Sequence, residues 1–205
     1  MNLLTILPLA FVMIAGPQIL SAIFLATSEN WQRNTAAYLA GAALSITLIV
    51  SIAYLASSGA PREGGSNDTL NVIVLVLLLA AMVYVFLTRK TSEPPKWMGK
   101  LQTANPRFSF RLGFLLLGVF PTDILTSVAV GAYLASHGDP WWHLLPFLLL
   151  TLLFLALPAL LLLIFGKRGR AFLPKARDWM NTNSWVVSEI VLVFFIAITI
   201  NSLAG

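Results

Sequence analysis

The stretch that decides the fold runs from Arg111 to Ser136, RLGFLLLGVFPTDILTSVAVGAYLAS. After Arg111 it holds one acidic or basic side chain, Asp123, in an otherwise apolar run. A helix needs about 20 apolar residues to cross the hydrocarbon core, so the run predicts a membrane span over residues 110–135. Working outward, five further stretches meet the same length: 3–27, 36–57, 70–88, 143–165 and 184–203. The expected fold class is an all-α membrane protein of six transmembrane helices.

Charge sets an expected orientation. Of the thirteen Lys and Arg residues, Arg33 follows the first span. Arg89, Lys90, Lys96, Lys100, Arg107 and Arg111 follow the third, and Lys167, Arg168, Arg170, Lys175 and Arg177 follow the fifth. These twelve fall in alternate loops, against Arg62 alone on the other side. Positive loops stay in the cytoplasm, so both termini are expected outside. Trp31, Trp97, Trp141, Trp142, Trp179 and Trp185 fall at or just beyond span ends, where amphipathic rings prefer to sit.

Composition agrees. The chain is 58% hydrophobic and 10% charged, with mean hydropathy +0.85, whereas soluble domains carry about 25% charged residues. A net charge of +5 could suggest nucleic acid, but it arises from orienting loops and points instead to anionic lipid headgroups. No nucleic-acid partner is expected. The absence of cysteine excludes a disulfide relay, a thiolate metal site and a Cys nucleophile. The first span lacks a basic leading segment and outruns a signal-peptide core, so it is read as retained.

The segment Ser58–Thr69, SGAPREGGSNDT, reads as an external loop, and residues 89–109 as a cytoplasmic linker. Within the linker, Pro94-Pro95 followed by Lys96, Trp97, Met98, Lys100 and Leu101 opens either a short interfacial helix with a basic face or a solvated connection. The linker separates two three-helix halves, 1–88 and 110–205, within one membrane domain. An odd number of spans per half makes the second enter opposite to the first, the arithmetic of an inverted repeat. The first span carries Gly16-Pro17-Gln18-Ile19-Leu20-Ser21-Ala22 and the fourth Phe120-Pro121-Thr122-Asp123-Ile124-Leu125-Thr126-Ser127. With one inserted residue these align as Pro, polar, Ile-Leu, then hydroxyl and small. Each proline lies about 20 Å along its span at 1.5 Å per residue, and interruptions at matching depth point to a shared central site.

Asp123 is the residue most in need of explanation, since a carboxylate at mid-span costs roughly 2.5 to 3.5 kcal/mol on insertion scales. One account makes it, with Thr122, a cap for the half-helix after Pro121. Another makes it a proton or cation site. No Lys or Arg lies deep inside a span to neutralise it, which leaves protonation, hydrogen bonding or a transported cation. Residues three and four positions on share its helix face, adding Thr126 and Ser127, with Gly131 a turn further. Gln18 and Ser21 are the counterparts in the first span. Ala37, Gly41 and Ser45 form a small-residue stripe suited to close helix contact.

Other features carry less. Glu189, Ser188 and Asn201 lie near the ends of the sixth span. His137, Asp139 and His143 lack a third firm ligand or a metal-site spacing and read as a surface loop. The fifth span, Leu-rich with Pro146, Thr151 and Pro158, reads as lipid-facing. No metal, cofactor or catalytic motif is evident, and the chain is not expected to be an enzyme.

The Gly16-Pro17-Gln18 element, the SENWQRN loop at Ser28–Asn34, the Ala40-Gly41-Ala42-Ala43 start of span two and the Pro121-Thr122-Asp123 element together resemble the peptidoglycolipid or sulfolipid addressing proteins, the GAP family of the lysine exporter superfamily. That resemblance implies two three-helix repeats, each with a proline motif in its first helix, here Pro17 and Pro121. It also implies export of amino acids, metal ions or lipid conjugates across a prokaryotic cell membrane. Addressing proteins tend to show an Asn-Pro-Lys-like second motif, where this chain has Phe-Pro-Thr-Asp; the departure leaves the substrate open and adds the carboxylate.

Two functions are thus expected in competition. One is a multi-pass exporter of a small solute or lipid conjugate, proton- or cation-coupled through Asp123, with a site of Pro17, Gln18, Ser21, Pro121, Thr122, Asp123, Thr126 and Ser127. The other is a non-transporting scaffold of envelope or lipid-export machinery that works through its basic loops. Membrane lipids are expected partners of either. A three-helix half is completed by its sister half or by a second subunit of a homo-oligomer.

Overall fold

A computed structural model of the chain describes residues 7, 9–14, 17–58, 101 and 103–183, with single helical positions at 79, 83, 87, 186, 193, 196 and 197. The described residues are 89% helical with no strand. All but three positions of the expected third span, nearly all of the sixth, most of the 58–69 loop, residues 94–100 of the linker segment, and Ser188, Glu189 and Asn201 lie outside the described residues. Contacts group Met1–Pro61 with Pro95–Arg177 in one compact unit, and Arg62–Pro94 with Asp178–Gly205 in another. Every candidate site residue belongs to the first.

The helices are α1 (Leu9–Ile14), α2 (Pro17–Ala26), α3 (Trp31–Ser58), α4 (Pro106–Val119), α5 (Pro121–Ser136), α6 (Leu145–Phe165) and α7 (Lys167–Thr182). Prolines mark their starts: α2, α4 and α5 each open on one. A proline at the first helical position forfeits an N–H that has no intrahelical partner anyway, and its fixed φ suits the helix. α4 is further capped by the Asn105 side chain, which accepts from the Phe108 amide at 2.8 Å. α6 follows a short 3-10 turn at Trp141–Leu144 and ends at Gly166, whose φ of 50° halts it.

By length and composition, Trp31–Ser58 and Trp141–Phe165 can each cross a membrane. A third candidate is the pair α4 and α5, bent by 70° between Val119 and Pro121. The bend has a local cause. Phe120 is extended at φ −65°, ψ 127°, as expected for a residue before proline, and it is this residue that turns the chain between the two helices.

α3 is the central post, with α4 and α5 packed along it and α2 and α6 touching it as well. One stripe, including Tyr38, Gly41, Ala42, Ser45, Ile46, Val50 and Ala53, is buried. The opposite stripe of Leu44, Leu48, Ile52 and Leu55 is exposed, the pattern of a helix with lipid on one side. Lipid tails are as apolar as leucine, so close packing rather than hydrophobic burial must hold such helices together. The α3–α4 seam supplies it through glycines. A methyl group added to Gly41 would strike the Phe110 carbonyl, and one added to Gly113 the Tyr38 carbonyl. The expected small-residue stripe is therefore a packing surface at Gly41 and Ser45, the latter lying against Gly118, while Ala37 is only half-buried.

The reading of the fifth span as purely lipid-facing is corrected. Phe147, Leu148, Thr151, Leu155, Pro158, Ala159 and Leu162 form a buried stripe of α6, which packs on α1, α2 and α3. Leu145, Leu149, Leu153 and Leu157 form its exposed stripe. Leucine on every side of the helix concealed the two faces.

Candidate functional site

The two proline-opened helices expected to meet do meet. Gln18, the second residue of α2, donates from Nε2 to Asp123 Oδ2, the third residue of α5, at 2.5 Å across 105 residues of sequence. Both side chains are sealed: Gln18 is 1% exposed and Asp123 0%. The carboxylate lies in the first turn of α5, where free amides and the helix dipole favour negative charge.

Asp123 does not cap that helix. The N-cap position is Phe120, and no side chain bonds there. The amides of Asp123 and Ile124 instead reach the Phe120 carbonyl at 3.1 and 3.0 Å. The capping account of Asp123 is therefore withdrawn: its carboxylate is directed across to α2 rather than back along its own backbone.

Around this pair the polar groups divide into two sorts. Ser21 Oγ donates to the Pro17 carbonyl at 2.6 Å, and Thr126 Oγ1 to the Thr122 carbonyl at 2.7 Å. Each hydroxyl is thereby held on the first turn of its own helix, the usual refuge of Ser and Thr inside a helix. In contrast, Gln18 Oε1, Asp123 Oδ1 and Ser127 Oγ are buried without a hydrogen-bond partner. A buried polar atom left unpaired costs roughly 1 to 3 kcal/mol, and here three stand in one neighbourhood, on groups one helical turn apart or directly bonded. All three are oxygens. An amide oxygen and a carboxylate oxygen only accept and the hydroxyl can do either, so what would complement them is a hydrogen-bond donor or a positive charge.

The predicted set is thus partly gathered. Gln18, Ser21, Asp123, Thr126 and Ser127 are buried, Pro17 is half-buried, and Pro121 and Thr122 are exposed, so the prolines act by starting helices and Thr122 by offering its carbonyl. Gly131, placed on the same face by periodicity, serves another contact: a methyl group there would come within 2.5 Å of the Val50 carbonyl on α3.

One residue that sequence reasoning missed belongs here. Tyr38, fully buried on α3, donates its hydroxyl to the Gln18 carbonyl at 3.0 Å, fastening the start of α2 beside the carboxylate. Tyr38 stands one turn before Gly41 on the buried stripe of α3. Its clue was the hydroxyl itself, which needs a partner when buried. At another point of the unit, buried Asn34 donates to Ser28 Oγ at 2.8 Å and to the Ala104 carbonyl at 2.9 Å, so the SENWQRN loop is tied to the approach of α4. The loop residues Asp139 and His143 stand 3.7 Å apart, and among the described residues no cluster of three or more His, Cys, Asp or Glu that would hold a metal ion is found.

The chain matches the family model described as Sap, sulfolipid-1-addressing protein, over residues 6–203. No curated protein and no solved structure matches it. The match spans nearly the whole chain, and the protein belongs to this family.

Proposed function

We propose that this member of the sulfolipid-1-addressing family exports a lipid conjugate through a site centred on Gln18 and Asp123, with proton or cation binding at Asp123 driving the cycle. The observation that carries the reading is the sealed Gln18–Asp123 contact between two helices that each begin on a proline, flanked by unpartnered oxygens. Transporters commonly place substrate and coupling-ion sites where broken helices from two halves face each other. The lipid character of the cargo rests on the family's description. In the full reading the chain has six spans in two inverted repeats, with both termini outside, as in the lysine exporter superfamily. It is a non-enzymatic protein of a prokaryotic plasma membrane. Binding at Asp123 would bring a partner to Asp123 Oδ1 and Gln18 Oε1 and thereby change the hold of α2 on α5, so that occupancy and the α2–α5 contact are linked.

The test uses a host strain lacking the chain, complemented with wild type or Asp123→Asn at matched membrane abundance. Surface-extractable and cell-retained lipids are compared. Wild type is expected to restore a lipid conjugate to the surface pool, and Asp123→Asn to leave it retained. Full restoration by Asp123→Asn would remove the carboxylate from the mechanism.

A further inference from the structure

We propose that the first two turns of α4 form a docking surface for the anionic headgroup of a membrane lipid, separate from the Gln18–Asp123 site and independent of the export reading. The seam with α3 fixes which way α4 faces. Ser109, Gly113, Leu116 and Leu117 are buried, and Arg107, Phe110 and Arg111 emerge exposed on the other side. Together with Pro106 these three line an open cleft of about 420 Å³.

The charge arrangement in that cleft asks for an anion. Arg107 and Arg111 lie one turn apart, where like charges repel. They sit at the positive end of the helix dipole, which opposes them further. The first turn of α4 contains no acidic residue, and among the described residues neither arginine has an ion-pair partner, the Asp139–His143 contact being of other residues. Two guanidinium groups, each able to clasp a phosphate or sulfate through paired N–H donors, are the fitting complement of such an ester.

Position selects a lipid over a free ion. Arg111 immediately precedes an apolar run, so the pair stands at the foot of an expected span, the depth at which headgroups lie. Phe108 and Phe110 are 42% and 37% exposed beside it, giving the glycerol and upper acyl region of a lipid an apolar neighbour that an inorganic anion would not use.

The experiment titrates the full chain, purified in detergent, with phosphatidylglycerol or phosphatidylcholine and counts retained lipids by native mass spectrometry. Arg107→Gln/Arg111→Gln is compared with the charge-matched Lys167→Gln/Arg168→Gln. Wild type is expected to retain phosphatidylglycerol in preference to phosphatidylcholine. Losing the charge-assisted contacts to the headgroup, which the control does not make, should weaken phosphatidylglycerol binding by the α4 double variant roughly 30-fold, equivalent to about 2 kcal/mol. The control should stay within about twofold of wild type. Arg107→Lys/Arg111→Lys keeps the charge without the paired donors, and an intermediate loss is expected for it even if the glutamine variant folds poorly. Equal losses from the two glutamine variants would overturn the surface as a specific site, and displacement of phosphatidylglycerol by millimolar inorganic phosphate would make it a free-anion site instead.

Discussion

Two contacts in the same compact unit are closed by opposite means. At the α3–α4 seam the helices approach because side chains are absent: Gly41 and Gly113 each put bare backbone against the carbonyl of the facing helix. At the α2–α5 junction they are joined by long polar side chains, with one hydrogen bond made and three oxygens left over. A glycine seam has no alternative partner and no reason to open. A junction with unused acceptors can take a further partner. On the proposed function the seam holds the molecule together and the junction is what it works with, and substitutions should follow the same division.

The seam should give the largest effect. Gly113→Leu forces a branched side chain into the Tyr38 carbonyl, and loss of about 3 kcal/mol or more of stability is expected, read as a fall in melting temperature and in monodisperse yield. A variant that melts like wild type would show that the helices can part there after all. Next comes Gln18→Ala, which leaves the sealed carboxylate without its donor. It should destabilise by about 1 to 3 kcal/mol and reduce export as well, whereas a seam variant that still folds should export normally.

Asp123→Asn keeps a group that can accept from Gln18, so its melting temperature is expected within a few degrees of wild type while export falls to background. Any pH dependence of wild-type export should vanish with it, a comparison that flux measured across a pH series supplies. Tyr38→Phe removes one hydroxyl from the Gln18 carbonyl and should cost about 1 kcal/mol, with export reduced a few-fold through the displaced amide. Ser127→Ala is the mildest. Its Oγ bonds nothing, so stability should change by no more than about 0.5 kcal/mol, and a drop in export without a drop in melting temperature would identify the hydroxyl as part of the binding surface.

The sequence carried the junction further than the seam. Proline cannot sit inside a helix without removing a hydrogen bond, so Pro17 and Pro121 announced where helices start. A carboxylate in a leucine-rich run announced itself by its solvation cost. Gly41 and Ser45 were legible as a stripe, but their partners Gly113 and Gly118 were not, because spacing along one helix says nothing about the register of another. The same limit hid the amide of Gln18 as the donor to Asp123, a contact between residues 105 apart, and left a capping account of Asp123 standing beside the proton or cation account, since a local role always looks close from the sequence. The two faces of α6 were invisible for a different reason: where nearly every residue is leucine, the side that touches protein and the side that touches lipid read alike.

The 70° bend between α4 and α5 also resolves a matter of length. End to end, their thirty residues would make a rod of about 45 Å, half as long again as the hydrocarbon thickness of about 30 Å. If α4 stands upright it accounts for about 21 Å, and α5, leaning by the observed angle, adds only about 8 Å of height while travelling sideways by more than 20 Å. In that pose the elbow folds an overlong rod to the thickness of the bilayer and sets its upper limb near-horizontal, so one proline-marked residue decides how much of the hydrocarbon depth the pair takes up.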